Sequence, residues 1–218
     1  MPVTILIGAQ WGDEGKGRYV DWLATTTDIV ARYAGGDNAG HTVAINDDVY
    51  KLHLIPSGVF HDNVMSIMGN GMVINPVNLV KEIKGLQEMG VEITPERLLI
   101  SSRAHMITPA HIELDKAKEL ARGSQAIGTT LRGIGPAYLD KTGRAGIRMG
   151  DMLLDIETFA ERLYAGIERT NETLVKQGME MLDAKVVALD YLDAAEFLKP
   201  FIVDTSTYLY KALKDGKK

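Results

Sequence analysis

The chain has no cysteine. This excludes disulfides, zinc–thiolate sites and thiol nucleophiles, and it fits a reducing compartment such as the cytoplasm. It also lacks a basic cluster. With 24 Lys and Arg against 29 Asp and Glu the formal charge is −5, so the electrostatic footprint of a duplex nucleic-acid binder is missing and no nucleic-acid partner is expected. No hydrophobic run approaches the ~18 residues that span a bilayer, and no positive region precedes the short apolar run near the N-terminus. Neither membrane insertion nor secretion is expected. Glycine becomes scarce late in the chain: only 3 of 22 lie beyond Gly150, which places the loops in the first part and leaves the last 68 residues to helices.

What is present suffices for a substantial core, since 45% of the 218 residues are apolar. Val3 to Ile7 and Asp28 to Tyr33 read as buried strands separated by a helix around Tyr19 to Ala24, a βαβ start. Thr42 to Ile45 and Val49 to Leu54 read as a hairpin turning at Asn46, Asp47 and Asp48. Val64 to Met68 and Leu98 to Ile100 are further strands. Pro76 opens a helix to about Met89 with Leu79, Val80, Ile83 and Leu86 as its stripe. Beyond Asp151, Ile156, Phe159, Leu163, Ile167 and Leu174 keep helical spacing, and another helix is expected within Val203 to Leu213.

Three glycine-rich stretches carry the chemical signal. In GAQWGDEGKGR, Gly8 to Arg18, the residues Gly8, Gly12, Gly15 and Gly17 allow a tight turn whose backbone N–H groups converge on an anion beside Lys16. It is not the ordinary phosphate loop G-x-x-x-x-G-K-[ST]. Gln10 stands at the first glycine and Gly17 at the magnesium-binding hydroxyl. Asp13 and Glu14 inside the loop would repel a triphosphate unless a metal or a reaction step requires one of them. RYAGGDNAGHTV, Arg32 to Val43, follows a strand, where open α/β sheets bind ligands, and offers Asn38 and His41. Alone it reads as a turn; paired with the first loop it suggests an acid–base site at phosphate. The third stretch, Ala126 to Asp151, shows little hydrophobic periodicity. It reads as a long loop, fixed by its glycines and Pro136, that offers Thr129, Thr130, Arg132, Lys141, Arg144 and Arg148 to phosphate.

Taken in order, GAQWGDEGKG, GGDNAGHTV followed by KLHLIPSG, and IGTTLRGIGPAYLDK with GRAGIR strongly resemble the adenylosuccinate synthetase family. GNG at Gly69 to Gly71 and the residues His105, His111 and Asp115 add to the match, which runs from Val3 through Asp151; the tail agrees in position and character. The resemblance implies an α/β fold of phosphate-loop NTPase type, with a mainly parallel central sheet, flanking helices and a more helical C-terminal segment. Residues 1–151 would form the nucleotide- and IMP-binding part with the catalytic loops, and 152–218 a helical segment of the same domain, the remainder of that domain being absent.

The implied reaction joins IMP to L-aspartate with GTP cleavage and Mg2+, in a homodimer, yielding adenylosuccinate, GDP and phosphate in purine biosynthesis. On that analogy Asp13 is the base that takes the N1 proton of IMP and His41 the proton or hydrogen-bond donor to the developing charge, while Asp13 and the Gly40 carbonyl ligate magnesium. GTP would be met by Gly12, Asp13, Glu14, Gly15, Lys16, Gly17 and Arg18, and by Gly40, His41 and Thr42. IMP would be met by Asp13, Glu14, Gly15 and Lys16, by Asn38, Ala39, Gly40 and His41, and by Thr130, with Arg144 reaching its 5′-phosphate from the partner subunit.

The chain departs from the family pattern at several places. Arg18 replaces a frequent lysine, Ala34 a glutamine, Leu131 a glycine or polar residue, Ala145 a second arginine, and Ala110 an aromatic. His105 and His111 lack metal-pair spacing and read as structural. Family chains are much longer, and the parts that bind aspartate and guanine lie beyond Lys218. The expectation is therefore an N-terminal portion that is inactive alone. Two alternatives are a non-catalytic nucleotide-binding or assembly module, and a related synthetase acting on dGMP, a class that typically lacks aspartate at the position of Asp13.

Overall fold

A strand buried on both faces needs a nearly continuous apolar sequence. β4 (Met65–Ile74) has one, with Ile67, Met68, Val73 and Ile74 fully buried. The computed structural model describes residues 3–10, 14–45 and 48–218, and β4 is the centre of its sheet. β1 (Ile29–Gly35) pairs along one edge of β4 and β5 (Leu98–Ser101) along the other, with β7 (Ile202–Val203) outside β5. β6 (His105–Met106) pairs with the later part of β4, opposite Val73 and Ile74. Every one of these pairings is parallel, which is the arrangement strands alternating with helices impose.

β4 runs past the expected end at Met68, through Gly69, Asn70 and Gly71. These glycines belong to a strand because the backbone of β1 crowds them. A Cβ on Gly69 would stand 2.9 Å from the Arg32 carbonyl oxygen, and one on Gly71 only 2.0 Å from that of Tyr33. The register of β1 shifts at this point, between Arg32 and Ala34.

Val3 to Ile7, by contrast, forms no strand. The segment makes no sheet pairing, and Val3, Ile5 and Ile7 are 64%, 75% and 66% exposed. A strand is stabilised by cross-strand pairs and a covered face more than by its own sequence, and neither is supplied here. The βαβ start is therefore not formed among the described residues: α1 (Lys16–Ala24) precedes β1, the first strand of the sheet. The hairpin is formed by β2 (His41–Ile45) and β3 (Asp48–Leu52), with His41 opposite Leu52. Asn46 and Asp47 of the expected turn lie outside the described residues.

α2 (Pro76–Glu88) starts where Pro76 predicts, with the Asn75 side chain accepting from the Asn78 N–H, and it buries Leu79, Ile83 and Leu86. α3 (Pro109–Ala121), unforeseen, begins in a capping box in which the Thr108 N–H donates to the His111 ring at 2.9 Å. A second correction concerns Ala126 to Asp151. Residues Ile134–Thr142 form a helix, α4, because Gly133 turns the chain at φ 74° and Pro136, in the first turn, gives up an N–H that has no helical partner. Its short stripe, Ile134, Ala137 and Tyr138, is too small for periodicity to expose; it packs with Val73 and Ile107.

In the tail, α5 (Ile156–Lys176) buries Phe159, Leu163, Ile167 and Leu174 as its spacing predicts, and α7 (Thr205–Lys214) is capped by Asp204. α6 (Ala184–Leu198) was not expected: its buried positions are Ala184, Ala188, Ala194 and Ala195 beside Tyr191 and Leu198, a stripe too mild to stand out. The main apolar core joins β4 and β5 to α2, α5 and α6. No described helix is long and apolar enough to cross a membrane.

Candidate active site

The first loop turns into α1 at Gly15, whose φ of 76° is a conformation that L side chains rarely adopt. Lys16, the first helical residue, folds back over the start of the loop, where a Cβ on Gly8 would meet its Nζ at 2.5 Å and Glu14 Oε1 at 2.8 Å. Glu14 Oε1 accepts the Gln10 N–H at 2.9 Å, and its Oε2 pairs with Lys16 Nζ at 2.5 Å. Lys16 first, then the backbone amides of Glu14 and Gln10, hold the Glu14 carboxyl at about 2. An internal carboxylate thus occupies the Lys16 ammonium, the cation that suits a phosphate oxygen. Gly17 accepts from the Ser57 hydroxyl at 3.3 Å, and Arg18 is exposed. Trp11, Gly12 and Asp13 lie outside the described residues, so the expected base does too.

The second loop leaves the carboxyl end of β1. Gly36 admits no side chain, since a Cβ would stand 2.6 Å from Ile134 Cδ1 and 2.8 Å from the Val73 carbonyl oxygen. Asp37 is 4% exposed; it accepts from Asn78 Nδ2 at 2.7 Å and faces Arg132 at 3.8 Å. Asn38, Ala39 and Gly40 are exposed, as ligand contacts need to be. His41 begins β2, with Thr42 exposed beside it; the His41 side chain lies outside the described residues.

The third loop is held by two carboxylates one turn apart on α3. Glu119 accepts the N–H groups of Gly128 and Thr129, and Asp115 accepts that of Gly133 at 3.0 Å. Between these anchors Thr130, Leu131 and Arg132 are exposed, and Leu131 sits at φ 54°, where a glycine would cost nothing and a leucine is strained. Arg144 follows α4, also exposed and at φ 59°. Beneath it Asp140 accepts from His111 Nε2 at 3.2 Å and from Arg169 at 3.1 Å, and its carboxyl is held below its usual range, chiefly by His111. His111 is thus a structural histidine.

α1 packs against β2, which brings the first loop beside the second. The Gly36–Ile134 and Asp37–Arg132 contacts bring the third beside the second, and the Tyr138 hydroxyl accepts from the Gly35 N–H and donates to the Gly71 carbonyl, both at 2.9 Å. Thr130 therefore lies two residues from a side chain, Arg132, that faces Asp37, the neighbour of Asn38. Arg144 lies at the other end of α4, a helix roughly 13 Å long at 1.5 Å per residue. Among the described residues it makes no hydrogen bond to the first two loops. A cleft of about 510 Å³ opens beside the second loop between β3 and α2, lined by Asp37, Lys51, His53, Asn78 and Arg132 among others.

No three His, Asp or Glu side chains converge on a metal position among the described residues. A hard cation is compatible with the residues present, because Gly40 is exposed beside the His53 ring and magnesium commonly takes few protein oxygens and completes its shell with phosphate oxygens and water. Three residues that shape this site escaped the sequence reading: Arg32, His53 and Glu82. A charged residue inside the apolar run of β1, and another beside the buried stripe of α2, were the available signals.

The family model described as adenylosuccinate synthetase matches residues 5–218. The adenylosuccinate synthetase of Clostridium acetobutylicum is 49% identical over all of this chain, and that of Clostridium perfringens 48%. The chain spans about half the length of these curated relatives, 51% and 50%. Among solved structures, fully ligated adenylosuccinate synthetase from Plasmodium falciparum superposes with a TM-score of 0.86 at 38% identity, over 97% of this chain and 48% of that one. The succinoaminodeoxyadenylate synthetase of cyanophage S-2L, bound to dGMP and dATP, shares the fold at a TM-score of 0.52 and 23% identity, over 71% of this chain and 46% of that one.

Proposed function

The chain belongs to the adenylosuccinate synthetase family, and from that premise we propose that it supplies the IMP and GTP phosphate sites for joining IMP to L-aspartate, in a polypeptide of the relatives' full length. The observation that supports this reading is that the second and third loops meet at the carboxyl end of β1, where Arg132 faces Asp37 and Ile134 lies against Gly36, while α1, into which the first loop leads, packs on β2. Asp13 takes the N1 proton of IMP, and O6 then attacks the γ-phosphorus of GTP, releasing GDP. His41 donates to the charge that develops. Lys16 leaves Glu14 for the transferring phosphoryl group, which a mobile point charge can follow. The amine of aspartate displaces phosphate from C6, giving adenylosuccinate. Mg2+, held by Asp13 and the Gly40 carbonyl, supplies neutralisation of the phosphate oxygens when bound. The remaining GTP contacts are Gly12, Glu14, Gly15, Gly17, Arg18 and Thr42, and Asn38, Ala39 and Thr130 contact IMP. The presence of Asp13 favours IMP over dGMP. The reading carries a cytoplasmic homodimer.

The exposure of Arg144 and its place at the other end of α4 from Thr130 support its service to the neighbouring subunit. Asp13→Ala and Arg144→Leu, made separately at the relatives' full length, are each expected to be nearly inactive. Random subunit exchange makes about half the dimers hybrid, each with one intact site, so about a quarter of wild-type adenylosuccinate formation returns on mixing. If tagged hybrids form and no activity returns, Arg144 acts within its own chain. If the unmutated protein makes no adenylosuccinate, the reaction itself is misassigned.

A further inference from the structure

The second loop is gripped by its own first residue, Arg32, and by groups remote in sequence. The guanidinium of Arg32 donates to the carbonyls of His53 and Leu54, the latter at 3.2 Å, and through its other nitrogen to the Gly36 carbonyl at 2.7 Å. The Glu82 carboxyl takes the opposite side of the same segment. It accepts the N–H groups of His53 at 3.0 Å, Leu54 at 3.0 Å and Ile55 at 3.1 Å. Asn78, four residues earlier on the same face of α2, donates to Asp37. The His53 ring lies against Gly40, where a Cβ would meet its Nε2 at 3.1 Å. Burial pushes the Glu82 carboxyl up against these amide bonds and lowers the pKa of Arg32. Charges this buried are costly unless their bonds are satisfied, and here the backbone of residues 53–55 satisfies both.

Building on the proposed function, we propose that Glu82 and Arg32 are positioning residues of the metal and phosphate site. By gripping residues 53–55 from both sides they press His53 onto Gly40 and so set the direction of the Gly40 carbonyl. Arg32 anchors the loop at Gly36, Asn78 holds it at Asp37, and His53 backs it at Gly40. An exposed glycine turn that must aim a carbonyl at a cation has little rigidity of its own. Metal ligands are commonly oriented by such outer partners, whose loss weakens metal affinity by roughly 10–100-fold.

Amide hydrogen exchange in the 218-residue chain tests the grip without reference to the reaction. Glu82→Gln keeps the shape but turns a donor toward the Leu54 N–H. It is expected to speed exchange about tenfold or more at residues 53–55 and at Gly40 to Thr42, leaving β4 and β5 unchanged. His53→Ala keeps both buried charges and is expected to loosen only Gly40 to Thr42. Asp115→Asn, the control, loosens Gly133. Loosening confined to residues 53–55 overturns the proposal, as does a uniform rise through β4 and β5 in Glu82→Gln together with no change in His53→Ala. At the relatives' full length, Glu82→Gln is expected to raise the Mg2+ needed for half-maximal rate about tenfold. The KM for IMP is expected to move less than Mg2+ dependence in Glu82→Gln, and more in Asp115→Asn. An unchanged Mg2+ requirement in an active Glu82→Gln protein also overturns the proposal. If the unmutated protein is inactive, the proposed reaction fails and the exchange result still decides the grip.

Discussion

The first and second glycine loops look alike in sequence and are held in opposite ways. Among the described residues between Gly8 and Lys16 the contacts are local, with Glu14 binding Gln10 and Lys16, four and two residues away. Between Gly36 and Gly40 one support, Arg32, is four residues away, and the others, His53, Asn78 and Ile134, come from distant segments. A loop held by its own side chains can exchange them for a ligand; one held by the core presents its backbone ready-made. Under the proposed function the pair divides the work between a mobile cation and a fixed turn, which is what phosphoryl transfer asks of its scaffold.

One substitution made in both loops sharpens this contrast most. Gly36→Ala is expected to cost about 3 kcal/mol, the upper end of the overpacking range, because Ile134 and the Val73 carbonyl cannot both retreat. Gly8→Ala meets only the far ends of Lys16 and Glu14, and is expected to stay within about 0.5 kcal/mol of the unmutated chain. Urea unfolding of the two variants measures the difference, and equal midpoints would erase the distinction. Next in size, Asn78→Ala removes the 2.7 Å bond to buried Asp37 and is expected to cost about 2 kcal/mol, again by urea midpoint. A cost near zero would mean that water serves Asp37 as well.

The smallest effect is electrostatic and belongs to the first loop. The Glu14 carboxyl is held at about 2 in the folded chain against an ordinary 4.5. A depressed pKa means that its contribution to stability is fully present above about 4.5 and is lost as pH falls through about 2. The difference in unfolding midpoint between the unmutated chain and Glu14→Gln should therefore shrink steadily from pH 5 to pH 2. A difference that stays constant over that range would show that Lys16 does not hold the carboxylate in solution.

Much of this was legible in the residues. Pro76 and the Leu79, Ile83, Leu86 stripe announce α2, and the spacing from Phe159 to Leu174 announces α5, because helix periodicity is a local property that a sequence carries intact. The three loops could be found from their glycines and polar residues, since positive φ and close approach select glycine whatever the surroundings. α4 and α6 were missed because a few small residues bury well only against a particular neighbour.

Other features were decided only in three dimensions. Val3 to Ile7 has the composition of a buried strand and forms none, while Met65 to Ile74 runs straight through two glycines. Strand pairing and burial are supplied by whatever lies alongside, and no local pattern records that. The same holds for Arg32 and Glu82. The charge of Arg32 in the apolar run of β1 and that of Glu82 beside the stripe of α2 are visible in the sequence, but the partners that join them, the backbone groups of residues 53–55, lie some twenty to thirty residues away, and a backbone amide or carbonyl has no letter of its own. The sequence by itself determined the chemistry this chain can offer: which cations and carboxylates, and where the backbone can turn. Tertiary structure decided which of those groups meet and which way they point, because the desolvation and backbone hydrogen bonding that aim them arise only when distant segments pack together.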